Sequence, residues 1–373
     1  MLVAKKGTTE KRVVSDLRYL NNRIKKCHYP FPIPSEVIST LGSSECKYLS
    51  VVDLKQAFHC LRLSSKSKRY CGITSYFGGD SYVYNRLAMG MSISPAQWQN
   101  FINKVLSKLP KESRDYCKGI MDDLIVYSVT KEDHFRHIKN VLKILADFGL
   151  KISPRKAQLF LRSVVFMGHE IKIVNGSLCI QPLQSRVKAI LEMPRPTCSR
   201  SCKRFIGMIQ YLSSFLPNLA NLLRSLYDIS KRGMTFRWGA EQQRCFDEIK
   251  KLLTRQPVLH APTGKGALRL YSDTSKTATG ASLFEEQNGE YKLIAYHSKS
   301  LPKAAKNYSI GELELTGLCL NIAAFKHLLR SAYFQAFIDH SGLAQIIKQK
   351  TEAPTERMKV LLDRLTQYHF ELA

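Results

Sequence analysis

Acid is what this sequence is short of. Across 373 residues, 30 aspartates and glutamates stand against 57 lysines and arginines, a formal net charge of +27. A chain with that excess draws polyanions to itself, nucleic acid before all others. An anionic membrane would be the competing partner, but no apolar run reaches the ~18 residues a spanning helix needs. No basic helix backed by a Trp/Phe face stands out either, so no membrane partner is expected. Met1 to Lys11 lack the apolar core of a secretory signal. Cys-x-x-Cys pairs are missing too. The ten cysteines are scattered, Cys198 and Cys202 being the nearest two, which leaves no zinc-knuckle spacing. They read as reduced thiols, several in apolar segments, of an intracellular protein, cytoplasmic or nuclear. The triplets at Asn175 and Asn307 then match the glycosylation pattern by chance.

The acids that are present sit in telling places. Asp122-Asp123 lies between Ile120-Met121 and Leu124-Ile125-Val126-Tyr127, two apolar strands of a hairpin with the carboxylates at its turn. Asp also suits a plain solvent turn, so this stretch alone leaves both readings open. Tyr48 to Leu54 is a second buried strand, ending at Asp53. Buried carboxylates need cations or donors. Asp53 is therefore a third candidate for one metal site with the Asp122-Asp123 pair.

Between these lie a helix from Pro95 to Leu109 and, after the hairpin, an amphipathic helix from His134 to Phe148 closed by Gly149. His134 and His137, three apart on it, are expected to be exposed rather than a metal pair. Another hairpin follows over 164–171. Strand, helix, hairpin, helix, strand fits a βαββαβ-like antiparallel sheet in an α+β protein. Two metals about 3.5–4 Å apart on three converging carboxylates suit in-line phosphoryl or nucleotidyl transfer. Residues 1–26 hold eight basic side chains against two acids, a solvated edge or a phosphate site.

Residues 181–262 read as helical and basic, with 14 Lys/Arg against 5 acids between 186 and 255. Leu268 to Asp273 is again a strand ending in Asp. Two strands, a helix over about 311–329 and the strand Phe334 to Asp339 follow, an RNase H-like pattern with Asp273 and Asp339 side by side. Glu312 and Glu314 open that helix about 200° apart, so only one can face the sheet. Asp273-Thr274-Ser275 lacks the Gly and the second copy of an aspartic protease motif.

Val51-Val52-Asp53-Leu54-Lys55-Gln56-Ala57-Phe58, Met121-Asp122-Asp123 and Phe166-Met167-Gly168-His169 resemble, in order and spacing, the motifs of a reverse transcriptase, that of a gypsy-type LTR retrotransposon Pol polyprotein. The resemblance implies a right-hand polymerase followed by an RNase H-like α/β domain, truncated at both ends. Fingers and palm would span 1–177, a helical thumb 178–232, a connection 233–265 and the RNase H-like domain 266–373. Asp53, Asp122 and Asp123 would hold two Mg2+, with Mn2+ an alternative. Phe58 would be the gate against a ribose 2′-hydroxyl, Lys5 and Arg12 the triphosphate ligands, Met89 and Gly90 the nucleotide floor, and Phe166, Met167, Gly168 and His169 the primer grip. Asp273, Glu314 and Asp339 would form the RNase H site, with Glu312 in solvent. A further strand and a helix with a fourth Asp would lie past residue 373, leaving this RNase H impaired. Ile120 departs from the aromatic usual there, and Ala88-Met89 from the usual Pro-Phe or Pro-Gln. The implied partners are RNA template, DNA primer, RNA–DNA hybrid and dNTPs. The rival readings are a viral RNA-dependent RNA polymerase, which shares the palm, and a decayed or domesticated nucleic-acid binder without catalysis.

Overall fold

The computed structural model describes residues 2–4, 11–13, 15–25, 27, 29–32, 34–74, 79–339 and 355–373, with backbone alone for 2–4, 11–13 and 34. Two compact units emerge, one of residues 1–37 and 44–167, the other of 38–43 and 168–373.

The first unit is built on a four-stranded antiparallel sheet in the order Cys117–Ile120, Asp123–Ser128, Tyr48–Asp53, Gln158–Leu161. Leu49 to Val52 and Leu124 to Ser128 are buried without interruption. Covered on both faces, these strands carry continuous apolar runs instead of an alternating pattern. Helix Ser94–Leu106 brings Trp98, Ile102 and Val105, and helix Lys131–Asp147 brings Ile138, Val141 and Leu145, into one core with Val52, Leu54, Leu124 and Val126. Thr130 caps the second helix by accepting from the Asp133 N–H at 3.1 Å, and Gly149 leaves it at φ +67°. The strand–helix–hairpin–helix–strand order expected from the sequence is the order observed.

The two helix histidines differ from expectation. His134 is fully buried and His137 is 2% exposed. Ser128 Oγ lies 2.8 Å from Nδ1 of each ring, and Ser50 Oγ lies 2.7 Å from Nε2 of His134. Tyr116 stacks on His137 with centroids 4.9 Å apart. A polar cluster therefore bolts the helix to both strands that carry Asp53 and Asp123, at the end away from the carboxylates. Burial pushes the His134 imidazole down to about 4 and that of His137 down as well.

A histidine held neutral in the fold but titrating normally when unfolded stabilises fully only above its unfolded pKa. This contribution is present above about pH 6.5 and is lost as pH falls toward the folded value of about 4. It amounts to roughly 2–3 kcal/mol. Urea unfolding between pH 7.5 and 5 should show the midpoint falling, with a shallower fall in His134→Gln. An unchanged slope in the variant would remove His134 as the cause.

In the second unit, His169–Val174, Ser177–Pro182 and Leu259–His260 form an antiparallel set. The stretch 181–262, expected to be helical, thus carries strand at both ends, with helices Gln184–Leu191, Ser199–Gln210, Leu219–Ser230 and Ala240–Thr254 between. Beyond them lies a five-stranded sheet in the order Glu290–Ser300, Ala278–Gln287, Leu268–Thr274, Tyr333–Phe337, His369–Leu372. The first three are antiparallel and the last two run parallel to Leu268–Thr274. His369–Leu372 adds a strand at the sheet edge that the pattern read from the sequence did not include. Helix Ile310–Ala324 is apolar nearly all round because the sheet covers one side and helix Glu356–Leu365 the other, burying Leu315, Leu318, Ile322, Met358 and Leu361 together.

Two candidate carboxylate sites

Strand register makes the first site. Tyr48–Asp53 and Asp123–Ser128 pair so that Asp53 lies directly opposite Asp123. Opposed residues on neighbouring strands sit about 5 Å apart at Cβ, and like charges there repel. Burial first, then the Asp53 charge, push the Asp123 carboxyl up, while Lys156 draws it back. The Lys156 ammonium lies 3.0 and 2.9 Å from the two oxygens of Asp53.

Asp122 belongs to the turn and Asp123 opens the strand. Met121, the other turn residue, adopts φ +54°, a conformation that costs a non-glycine residue about 1–2 kcal/mol. Helix Ser94–Leu106 holds it there. Trp98 Nε1 donates to the Met121 carbonyl at 2.7 Å, Gln99 Oε1 accepts from the Met121 N–H at 2.9 Å, and Gln99 Nε2 donates to the Gly119 carbonyl at 3.0 Å. Both side chains are fully buried. The Asp122 carbonyl accepts from the Leu54 N–H at 2.9 Å, tying the turn to the end of the Asp53 strand.

Phe58, half-buried, sits edge-on to Trp98 at 6.5 Å, which ties its ring to the helix that holds the turn. Met89 is exposed and Gly90 takes φ +91°. Asn21 pins that loop, donating to the Gly90 carbonyl and accepting from the Ser92 N–H, both at 2.8 Å. Lys5 lies outside the described residues. Arg12 pairs opposite Val3, and its side chain lies outside them as well. Phe166 ends a strand in the first unit, and Met167 and Gly168 both take positive φ. In the second unit His169 stacks on Tyr211 at 5.0 Å and on Phe215 at 5.7 Å, with the Arg186 guanidinium 4.3 Å over Tyr211. A Cβ on Gly168 would fall 2.4 Å from the Arg186 guanidinium, so this turn admits no larger residue without moving it.

The second site uses the edge of the five-stranded sheet. Asp273 is on the central strand, and Asp339 follows the parallel neighbour Tyr333–Phe337. Both line one cleft of about 420 Å³. Glu314, 6% exposed, comes from the helix. Burial, then Asp273 and Asp339, push its carboxyl up to about 7. Its Oε2 has no hydrogen-bond partner among the described residues. Glu312, expected in solvent, is buried instead. It caps its own helix by accepting from the Ser309 N–H at 3.0 Å, and it takes Thr355 Oγ1 at 3.1 Å and pairs with Arg357 at 3.3 Å. These contacts hold it below the usual carboxylate range.

Both carboxylate sets suit a hard divalent cation such as Mg2+ or Mn2+ by donor type. The mutual repulsion at Asp123 and Glu314, the orphan oxygen of Glu314 and the ammonium on Asp53 all point to a cation. Among the described residues, no three His, Cys, Asp or Glu groups stand ready to ligate one ion. A cation held by either set would need these side chains to move, and at Asp53 the displacement of Lys156.

The Glu314 helix reaches the sheet through Gly317, where a Cβ would fall 1.8 Å from Thr274 Oγ1 and 2.7 Å from Thr279 Oγ1. Gly317→Ala should push the helix outward and cost about 1–3 kcal/mol, seen as an earlier urea midpoint. A variant as stable as the wild type would show that this contact does not set the helix position.

Comparison with known proteins places this geometry. Residues 3–171 match the family described as reverse transcriptase (RNA-dependent DNA polymerase), and residues 238–336 match the RNase H-like domain found in reverse transcriptase. The transposon Tf2-7 and Tf2-3 polyproteins of Schizosaccharomyces pombe are each 28% identical over 375 residues, covering all of this chain and 27% of their own length. The chain thus spans about a quarter of these relatives. The foamy viral protease-reverse transcriptase in complex with RNA/DNA hybrid superposes with TM-score 0.78 at 19% identity, over 99% of this chain and 49% of that one. The dRH form in complex with double-stranded DNA gives 0.81 at 20%, over 100% and 64%. At these identities the likeness is one of fold. Among the described residues no helix is long and apolar enough to cross a membrane.

Proposed function

The chain carries a reverse transcriptase domain followed by an RNase H-like domain, as retrotransposon polyproteins do, and from that premise we propose that it extends a DNA primer on RNA and DNA templates. The observation that carries this reading is Asp53 set opposite Asp123, with Asp122 in a turn clamped by Trp98 and Gln99. Asp53, Asp122 and Asp123 would hold two Mg2+ ions, which supply activation of the primer 3′-hydroxyl and charge neutralisation at the pyrophosphate. The chain's own part is positional. Strand pairing holds two carboxylates at fixed separation, and Trp98 and Gln99 keep the third from drifting. Lys156 balances the Asp53 charge before substrate arrives and must swing off it for ligation. Phe58 is the gate against a ribose, and the loop of Met89 and Gly90, pinned by Asn21, is the nucleotide floor; Lys5 and Arg12 are the proposed triphosphate ligands. Phe166, Met167, Gly168 and His169 are the proposed primer grip, in which Tyr211 stacks on His169.

The net charge supports a nucleic-acid partner. The fold neighbours were solved with RNA/DNA hybrid and with double-stranded DNA, and the same partners are proposed here. In the RNase H-like domain, Asp273, Glu314 and Asp339 are the proposed metal ligands for cutting the RNA strand of a hybrid. The orphan oxygen of Glu314 supports that reading.

Primer extension on an RNA template with dNTPs and Mg2+ tests the first site. Asp122→Asn should lower the rate roughly 10³-fold or more while the variant melts like the wild type; undiminished extension would sink the assignment. A labelled RNA–DNA hybrid tests the second. Asp273→Asn should abolish cleavage and leave extension intact, and robust cutting by the variant would refute the site.

A further inference from the structure

Beside the Asp53 turn the first unit has a cleft of about 810 Å³, and none of the described residues that line it is acidic. Backbone pairing brings like charges together on its walls. Arg62 lies opposite Arg86 in an antiparallel bridge, and the Lys55 N–H donates to the Lys151 carbonyl at 2.7 Å. Two cation pairs are thereby fixed side by side, each unfavourable by itself. Among the described residues, Lys55, Arg62, Arg86 and Lys151 form no ion pair, and the Arg86 side chain donates only to the Cys60 carbonyl, at 2.9 Å. The remaining wall is aromatic: Phe101 and Phe148 meet edge to face at 6.3 Å, and Phe148 is 44% exposed.

A solvated basic surface spreads its charges apart, whereas this cleft gathers four beside an open aromatic ring. Four clustered cations call for a ligand with several negative charges, and the ring for a planar one. A cleft of this size holds a whole nucleotide, several times the bulk of a bare phosphate. We propose that it binds a nucleoside polyphosphate without a divalent metal. The phosphates would rest on Lys55, Arg62, Arg86 and Lys151, and the base on Phe148. None of the three carboxylates lines the cleft, although Lys55 is two residues from Asp53 and Cys60 on its wall feels the Asp122 charge, so nucleotide would be held next to the reaction without being templated.

Calorimetric titration of ATP into the full chain in EDTA tests this, since chelation removes any metal bridge to the carboxylates. It uses no primer, template or catalysis, so its outcome is independent of the polymerase reading. One saturable site is expected, weakened tenfold or more by Arg62→Ala and by Lys151→Ala, with Arg62→Lys recovering part of the loss. Phe148→Ala should weaken ATP but not inorganic tripolyphosphate, and Asp122→Asn should leave ATP binding unchanged. Matching far-ultraviolet spectra and melting curves establish that the variants fold. The proposal is overturned by an absence of saturable ATP binding, by indifference to Arg62 and Lys151, or by loss of binding in Asp122→Asn. Tripolyphosphate binding as tightly as ATP would also overturn it. So would Arg62-dependent binding of a short single-stranded DNA that excludes ATP, which would make the cleft a backbone groove.

Discussion

The candidate site of the first unit depends on a repulsion built into a β-ladder. Six residue pairs of antiparallel register, from Tyr48 and Ser128 to Asp53 and Asp123, leave two carboxylates facing each other at the open end of buried strands. The ladder cannot relax that contact, because a one-residue slip would turn every core side chain of the strand to the wrong face. The apolar packing of Val52, Leu54, Leu124 and Val126 against two helices therefore holds the charges together. The buried histidine cluster anchors the same strands from the other end. Carboxylates opposed in this way repel each other, and a cation bound between them would relieve that repulsion.

The second unit reaches a similar end by different means. Asp273 and Asp339 come from the ends of parallel neighbours rather than opposed antiparallel ones. The third carboxylate, Glu314, arrives on a helix set close by a glycine. Buried beside two other acids, it is driven toward the protonated form, as burial and Asp53 drive Asp123. In both places the fold spends stability on proximity of like charges, and in both one carboxyl is pushed up by burial and its acidic neighbours.

Much of this was legible in the chain. Buried strands ending in Asp are visible as apolar runs with an acid at one end, and their order and spacing placed the polymerase and RNase H-like patterns in sequence. What escaped was set by tertiary contact. Lys156 stands 103 residues from Asp53 and is one lysine among many. Gln99 looks like a surface residue of an amphipathic helix, yet it is buried because it replaces missing backbone partners of the Met121 turn. His134 and His137 seemed polar and so exposed. The serines that receive them, Ser50 and Ser128, sit inside apolar strands where a single hydroxyl carries little signal. Glu312 escaped because helical rotation separates it from Glu314 without saying that a cap and Arg357 await it. His369–Leu372 is too short and polar to register as a strand without its neighbour.

The claim most open to direct test is that Asp53 and Asp123 oppose each other at a cost that a cation removes. Thermal unfolding in EDTA and in Mg2+, in an Asp273→Asn background that silences the second site, measures it without catalysis. Asp123→Asn should melt higher than its parent in EDTA and lose the parent's further rise with Mg2+. A variant that melts lower in EDTA and still gains the full Mg2+ increment would contradict the account.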